Sequence, residues 1–208
     1  MTEQSRKVFE RLYGKAKTAE DLPWHQDEPP AVLVEALDAR APAAGSALDV
    51  GCGAGTCSIY LARRGYRVTA VDFMPQAIGM LNRRSATEGL QFNALQADVL
   101  AWQAPQAFDV VLDVGCLHSF DEAGRRRYKS QLMRWLAPGG DFVLVHCGRR
   151  GWWDWWPIGP SRLSRQALVA LLAPELQLRA YRPERLTGMP VFMGLSALVG
   201  RYWFQRVA

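Results

Sequence analysis

Hydrophobic and polar positions along the chain form short apolar runs separated by longer amphipathic segments. Where the apolar runs are rich in Val, Leu and Ala they predict strands, and the segments between them predict helices. The first, fourth and fifth runs are apolar almost throughout, which indicates strands buried on both faces. This alternation predicts a mostly parallel sheet between layers of helices. The predicted strands are residues 46–51, 66–72, 90–98, 108–115 and 141–147.

Helix and strand signals continue on both sides of this pattern. The predicted helices are residues 5–19, 30–40, 56–65, 75–89, 122–136 and 161–173, the last opened by a serine cap. Two closing strands are predicted at 176–186 and 197–207. No repeat, low-complexity tract or linker divides the sequence. We therefore expect one domain, with residues 1–42 as a helical lid and 43–208 as the core.

The composition is that of an ordinary globular domain, with 49% hydrophobic and 22% charged residues. The most apolar segment, 189–200, is shorter than the ~20 residues that a membrane helix needs. The charged N-terminus lacks the apolar region of a signal peptide, so we expect a cytoplasmic location and no membrane partner. The four cysteines lack C-x-x-C spacing and neighbouring histidines, so we expect no metal.

The strongest chemical signal is the stretch "LDVGCGAGT", residues 48–56, where a strand leads through a glycine turn into a helix. Gly51, Gly53 and Gly55 lack a Cβ, so the backbone there can turn sharply and approach a ligand closely. The helix start adds free N–H donors and a positive dipole. Because open α/β sheets bind nucleotides at the carboxyl ends of their strands, this turn predicts a nucleotide site.

The spacing of the glycines and three acids narrow the choice of nucleotide. The glycines are spaced G-x-G-x-G rather than the G-x-G-x-x-G of dinucleotide sites, and Asp49 precedes them. An acid there suits the cationic amino group of an amino-acid ligand. Asp72 ends the second strand, where a carboxylate can accept both ribose hydroxyls, and Asp98 ends the third, near an adenine amino group. A glycine turn with capping acids explains each feature alone but not the set.

These motifs, in order and spacing, resemble those of the class I S-adenosylmethionine-dependent methyltransferases. The matching stretches are "LDVGCGAGT", "VDFMPQAI", "ADVL", "FDVVLD" and "LAPGG", and the resemblance covers roughly residues 43–147. It implies a Rossmann-like three-layer α/β sandwich with a seven-stranded, mostly parallel sheet whose last strand is antiparallel. It also implies S-adenosyl-L-methionine as cofactor and S-adenosyl-L-homocysteine as product.

The resemblance also implies roles for single residues. Asp72 would hold the ribose, the turn 51–55 would cradle the methionine part, and Asp113 would contact the cofactor or shape the pocket floor. Trp24 lies in "DLPWHQDEPP", which resembles a segment of small methyltransferases acting on thiols, halides and tellurite. The cofactor set so implied is Asp49, Gly51, Cys52, Gly53, Gly55, Asp72, Phe73, Met74, Asp98, Val99, Asp113 and Trp24.

The acceptor is expected beside "DVGCLHSFD", residues 113–121, which follow the fourth strand. This stretch lacks the Asn/Asp-Pro-Pro-aromatic motif of amide- and base-nitrogen methyltransferases. His118 is the candidate catalytic residue, as a base or as an orienting group. It could instead cap the following helix or pack under the lid. Cys116 is expected to line the substrate pocket as a small residue and not as a nucleophile.

Aromatic residues are expected to complete the substrate pocket. Four of the eight tryptophans follow the fifth strand, and aromatic faces there would exclude water, attract a sulfonium and stack a flat substrate. Neighbours in an extended chain alternate sides, so some of the four would instead pack under a lid or form a dimer surface. His25 is expected near this pocket, although it and Trp24 could also be a surface staple onto the first helix. The tryptophans are Trp152, Trp153, Trp155 and Trp156.

The leading hypothesis is a methyltransferase for a small-molecule S, N or O nucleophile, aromatic or soft, acting by in-line displacement as a monomer or homodimer. The net charge of +5 and the arginines at 125–127 support a second hypothesis, RNA or protein methylation. The other basic residues are scattered, so nucleic acid is the less favoured partner. A third hypothesis is a cofactor-binding protein without turnover, because the sequence carries no definite catalytic signature.

Overall fold

The computed structural model describes residues 3–40, 45–149, 161–187 and 196–207. Within these ranges no helix is both long enough and apolar enough to cross a membrane. The elements in chain order are α1 (Glu3–Lys15), α2 (Ala31–Asp38), β1 (Ser46–Val50), α3 (Thr56–Arg63), β2 (Arg67–Asp72), α4 (Pro75–Glu88), β3 (Asn93–Gln96), β4 (Phe108–Val114), a 3-10 turn (Leu117–Ser119), α5 (Glu122–Trp135), β5 (Leu136–Gly148), α6 (Arg165–Leu172), β6 (Leu176–Thr187) and β7 (Ser196–Arg206).

The seven strands form one sheet in the order β3-β2-β1-β4-β5-β7-β6. Strands β1 to β5 pair in parallel, and β7 lies antiparallel between β5 and β6. The predicted Rossmann-like fold, with a mostly parallel seven-stranded sheet and an antiparallel last strand, is confirmed. The order runs outward in both directions from β1 and β4, so a crevice opens at the carboxyl ends of these two strands.

Apolar side chains cover both faces of the sheet. In β5, Phe142 and Leu144 belong to a buried cluster that includes residues of α5 and α6, whereas Val143 belongs to a cluster with residues of α2 and α3. Successive strand residues point to opposite faces, which explains this division. By the same alternation His146 shares the face of Phe142 and Leu144. On the face of the sheet that packs on α5 and α6, the apolar residues of β5 are therefore followed by a polar one, His146.

Several predicted boundaries were wrong. Helix α6 begins at Arg165 and not at residue 161, and strand β3 begins at Asn93 and not at residue 90. Strand β3 ends at Gln96, so Asp98 lies two residues beyond it and does not close it. Strand β5 begins at Leu136, not after "APGG", because Leu136 already pairs with Phe108 and the register then shifts before Val110 pairs with Asp141. The first helix ends at Lys15, four residues earlier than expected. For β3 and β5 the strand pairing available in the fold, and not the local pattern, sets the boundary.

Gly55 precedes α3 at a φ of +87°, and a Cβ there would lie 2.2 Å from Leu81 Cδ1. We expect Gly55→Ala to lower the free energy of unfolding by ~2–4 kcal/mol, because a left-handed backbone and an overpacked contact both oppose it. Gly65 is a matched control, with a φ of +86° and nothing within 4 Å of a Cβ. Gly65→Ala should lose only about 1 kcal/mol in urea denaturation. Equal losses in both variants would show that the Leu81 contact is unimportant.

Candidate functional site

The glycine turn after β1 is tied by its backbone to the end of β2. Gly51 N and Cys52 N donate to the Val71 carbonyl oxygen at 2.7 and 3.1 Å, and Gly53 N donates to Asp72 Oδ2 at 3.0 Å. At Gly51, a Cβ would lie 2.9 Å from Cys116 Cβ. The predicted turn therefore exists, and it touches both the end of β2 and the segment that follows β4.

Helix α3 starts directly from this turn. Gly55 is its N-cap and has no side chain to accept hydrogen bonds from the first N–H groups of the helix. Arg84 of α4 instead reaches the Ala54 carbonyl oxygen at 2.8 Å and Thr56 Oγ1 at 3.2 Å, which fixes the turn against α4. The first N–H groups of α3 are consequently left for water or a ligand, and the helix dipole adds positive potential there.

Asp72 is buried at the end of β2, with 6% of its surface exposed. Its Oδ2 accepts the Gly53 N–H and its Oδ1 accepts the Met74 N–H at 2.8 Å. Burial raises the pKa of this carboxyl, and the backbone donors oppose that rise. Each oxygen still has accepting capacity. The arrangement suits two neighbouring hydroxyl groups.

Asp49 lies deeper than Asp72, on β1, with 2% of its surface exposed. Its Oδ2 accepts the Ser58 hydroxyl at 2.6 Å. Burial raises the pKa of Asp49 to about 6, and the nearby charge of Asp72 adds to the rise. Neither carboxyl forms an ion pair with a described residue. Two buried acids without a cation make this end of the crevice suited to a positively charged ligand.

Aromatic residues of the N-terminal segment cover the acids. The Trp24 ring lies 5.3 Å from Phe9 and 5.7 Å from Tyr13, and Phe9 lies 5.8 Å from Phe73. The Tyr13 hydroxyl would be 3.4 Å from a Cβ at Gly53, so it lies over the glycine turn. Sequence reasoning selected Trp24 and Phe73 but missed Phe9 and Tyr13. Their four-residue spacing on α1 was the available signal.

The two residues predicted to meet an adenine edge differ in burial. Asp98 is exposed, and its Oδ1 accepts the Leu100 N–H at 3.0 Å. Val99 is buried in the main hydrophobic cluster, and Met74 is buried against Tyr13 in a separate one. The roles of Asp98, Val99 and Met74 at an adenine stay predictions.

Asp113 at the end of β4 is fully buried and accepts three hydrogen bonds. The donors are Cys116 N at 2.7 Å, Leu117 N at 3.0 Å and Tyr128 Oη at 2.6 Å. Burial raises its pKa to about 7. Asp113 thus fastens the 3-10 turn and α5 to the sheet. These contacts favour the expectation that it shapes the pocket floor.

His118 lies on the 3-10 turn, opposite His146 of β5. The two ring centroids are 5.9 Å apart and the rings are inclined at 72°. Burial lowers the pKa of His118 to about 3 and that of His146 to about 4, so both rings are neutral near pH 7. The proposed cap role of His118 is wrong, because Asp121 Oδ1 accepts the Gly124 N–H and caps α5. Sequence reasoning did not select His146, because the nearby ring of His118 lies 28 residues earlier in the chain.

The structure gives less support to the other residues that were predicted to line the substrate pocket. His25 Nε2 lies 3.2 Å from Asp27 Oδ1 and 4.0 Å from Glu20 Oε1. The ligand atoms of these three residues lie within 4.8 Å of one another, but both acids are exposed and such groups are common without a metal. The other predicted wall residues lie outside the described residues. They are Trp152, Trp153, Trp155 and Trp156.

Comparison with known proteins finds similarity to methyltransferases. A family model described as "Methyltransferase domain" matches residues 47–140. The chain is 28% identical over 150 residues to a 2-heptyl-1-hydroxyquinolin-4(1H)-one methyltransferase of Mycobacteroides abscessus, covering 70% of this chain and 66% of that one. It is 24% identical over 153 residues to a probable thiol methyltransferase of Arabidopsis thaliana, covering 69% and 68%. The chain thus spans just under two thirds of the quinolone methyltransferase.

One solved structure shows how far the fold agrees. The N-methyltransferase NodS from Bradyrhizobium japonicum, solved in complex with S-adenosyl-L-homocysteine, superposes with a TM-score of 0.73 at 22% identity. The alignment covers 98% of this chain and 99% of NodS. The shared fold therefore extends beyond the motif region, through the flanking elements on both sides.

The raised pKa of Asp49 makes the stability of the unliganded protein depend on pH. Between the ordinary value of 3.8 and about 6, the native state keeps a proton that the unfolded chain has lost, so rising pH weakens the native state. We expect the free energy of unfolding of wild type, relative to Asp49→Asn, to fall by up to ~1.4 kcal/mol per pH unit across this window. Urea denaturation at several pH values measures it. A difference independent of pH would contradict the assignment.

Proposed function

We propose that this chain is a class I S-adenosylmethionine-dependent methyltransferase and that it transfers the methyl group of S-adenosyl-L-methionine to a small-molecule nucleophile. One observation carries the proposal: the glycine turn and two buried acids lie together at the carboxyl ends of β1 and β2. Backbone hydrogen bonds join the turn to Val71 and Asp72, and the Ser58 hydroxyl donates to Asp49. This juxtaposition suits a ligand that has vicinal hydroxyls, an ammonium and a carboxylate.

The described residues offer a contact for each chemical group of S-adenosyl-L-methionine. Asp72 would hold the ribose hydroxyls, because each of its oxygens keeps a free accepting site. Asp49 would face the ammonium, since a buried acid without an ion pair is stabilised in its charged form by a cation. The uncapped start of α3 and the glycine turn would receive the methionine carboxylate. Phe73 would lie beside the adenine. The bound cofactor supplies a methyl group that a sulfonium makes electrophilic.

Methyl transfer requires alignment and exclusion of water more than acid–base chemistry. On this chain, Asp113 fixes the 3-10 turn beside the glycine turn, which sets the position of Cys116 and His118. His118 would orient the acceptor as a neutral imidazole, because its lowered pKa prevents it from carrying a charge near pH 7. One or two of the four tryptophans at 152–156 remain proposed pocket walls.

Small aromatic or soft nucleophiles are the favoured acceptors. The names of the quinolone and thiol methyltransferases described above indicate acceptors of these kinds. The arginine cluster at 125–127 gives little support to RNA as the acceptor. Arg126 pairs with Glu122, and Arg125 donates to the Phe120 carbonyl oxygen and Ser161 Oγ. Two of the three arginines are thus engaged by the protein itself. Methylation of RNA or protein is the second candidate.

Three further expectations accompany this proposal. The chain acts as a single domain whose residues 1–42 form a lid, an idea supported by the packing of Trp24 and Tyr13 over the site. It acts as a monomer or homodimer. It resides in the cytoplasm, which the four free cysteines support because reducing compartments keep thiols unpaired.

Removing the carboxyl of Asp72 should abolish cofactor binding. We expect Asp72→Ala to lower the affinity for S-adenosyl-L-homocysteine at least about 100-fold in calorimetry, since two charge-assisted hydrogen bonds are lost. Asp38→Ala is the control, because Asp38 pairs with Arg64 at the opposite end of α3 from the glycine turn. Unchanged affinity in Asp72→Ala would remove the cofactor assignment.

A panel of acceptors tests the reaction. The protein, incubated with S-adenosyl-L-methionine and either 2-heptyl-1-hydroxyquinolin-4(1H)-one, benzenethiol, catechol or total RNA, should release S-adenosyl-L-homocysteine with a small molecule only. Mass spectrometry identifies the methylated product. Methylation of RNA alone would support the second candidate, and cofactor binding without any product would support a role without turnover.

A further inference from the structure

His146 presents an unpaired hydrogen-bond acceptor in a buried position. The residue is 1% exposed, and its Nδ1 lies 2.7 Å from the carbonyl oxygen of Cys147. A carbonyl oxygen only accepts, so Nδ1 of His146 must carry the proton. The ring is neutral, with burial lowering its pKa to about 4, and Nε2 therefore has a bare lone pair. No described residue donates to that nitrogen.

A second imidazole, that of His118, lies near the His146 ring, with the two ring centroids 5.9 Å apart. His118 is partly exposed, and its Nδ1 also has no hydrogen-bond partner in the described part of the chain. The His118 ring packs on Gly115, where a Cβ would lie 3.0 Å from it. The remaining charged group near His146 is Arg125, whose guanidinium donates to the Phe120 carbonyl oxygen and to Ser161. Neither Arg125 nor His118 satisfies Nε2.

The pair lies on the acceptor side of the crevice. Cys116 contacts Gly51, so the segment that carries His118 begins beside the glycine turn. The carboxylates proposed for the cofactor belong to β1 and β2, whereas the imidazoles belong to β5 and the turn after β4. In the sheet order, β4 and β5 lie on the other side of β1 from β2. A nucleophile approaching the cofactor from this side comes to the ends of β4 and β5, where His118 and the buried His146 lie.

Buried polar atoms are almost always hydrogen-bonded, because an unmade bond in the interior is unfavourable. The same face of β5 carries Phe142 and Leu144, and an apolar residue would pack there without this penalty. A histidine whose accepting nitrogen is left unmatched is therefore better explained by a ligand that completes the bond than by packing.

Resting on the proposed function, we propose that Nε2 of His146 accepts a hydrogen bond from the nucleophile of the acceptor molecule, with His118 flanking it. The substrate class is then a neutral molecule with a proton-bearing nucleophile, such as a phenol, an N-hydroxy heterocycle or a thiol. Acceptors without such a hydrogen, including halide, tellurite and tertiary amines, are excluded. His146 is a residue for binding and selectivity, distinct from the cofactor set.

A spectroscopic test uses the wild-type protein saturated with S-adenosyl-L-homocysteine. Nitrogen-15 NMR of the histidine rings should show His146 as the Nδ1–H tautomer. Titration with phenol should shift Nε2 of His146, while anisole, which has the same ring but no donor hydrogen, should leave that nitrogen in place. The Nε2–H tautomer, or equal shifts with phenol and anisole, would overturn the proposal.

Two variants test the same point by kinetics and stability. His146→Leu should lower kcat/KM at least tenfold for the acceptor methylated in the panel, while the affinity for S-adenosyl-L-homocysteine stays within twofold. His146→Gln places an amide oxygen near Nε2 and should recover most of the loss. Both variants lose the Nδ1–H donor to the Cys147 carbonyl oxygen, so they should melt at similar temperatures. Equal losses of kcat/KM in both variants would show a structural role instead.

These results separate the inference from the proposed function. Failure of cofactor binding in the wild type would remove the proposed function, whatever the histidines do. Turnover and cofactor binding that survive in His146→Leu at wild-type levels would remove only the inference.

Discussion

The candidate site depends on the backbone hydrogen bonds that join the glycine turn to the end of β2. Gly51, Cys52 and Gly53 donate in succession to Val71 and Asp72, so the turn cannot move independently of the second strand. Those bonds place a carboxylate beside the open start of α3. They also hold the turn where it contacts Cys116, which connects it to the segment after β4. One junction of main-chain donors thus positions both halves of the crevice.

Burial then gives the two halves opposite electrostatic characters. On the side of β1 and β2, Asp49 and Asp72 have raised pKa values and a cation would stabilise their charged forms. On the side of β4 and β5, His118 and His146 have lowered pKa values and stay neutral. The cause is the same in each case, because loss of water disfavours the charged form of any group. A crevice that is anionic at one end and neutral at the other suits a cationic donor and an uncharged acceptor.

Asp113 holds together the elements that surround the candidate site. Its motif position suggested a contact with the cofactor or a place on the pocket floor, and the fold surrounds it with donors from the 3-10 turn and from Tyr128 of α5. Three hydrogen bonds to one buried carboxyl fix the start of the segment that carries His118. The position of the candidate catalytic residue His118 therefore depends on the buried carboxyl of Asp113.

The sequence by itself determined the alternation of strands and helices, the glycine turn and the strand-end acids Asp49 and Asp72. These features depend on side-chain period and on backbone conformations that a few neighbouring residues decide. Only the tertiary structure decided that β5 starts at Leu136, that Asp98 lies beyond its strand, and that Tyr13 covers the turn. It also decided that His146 has an unmatched nitrogen and that its ring lies near that of His118. Pairing, burial and the supply of hydrogen-bond donors depend on residues far apart in the chain, so no local pattern contains them.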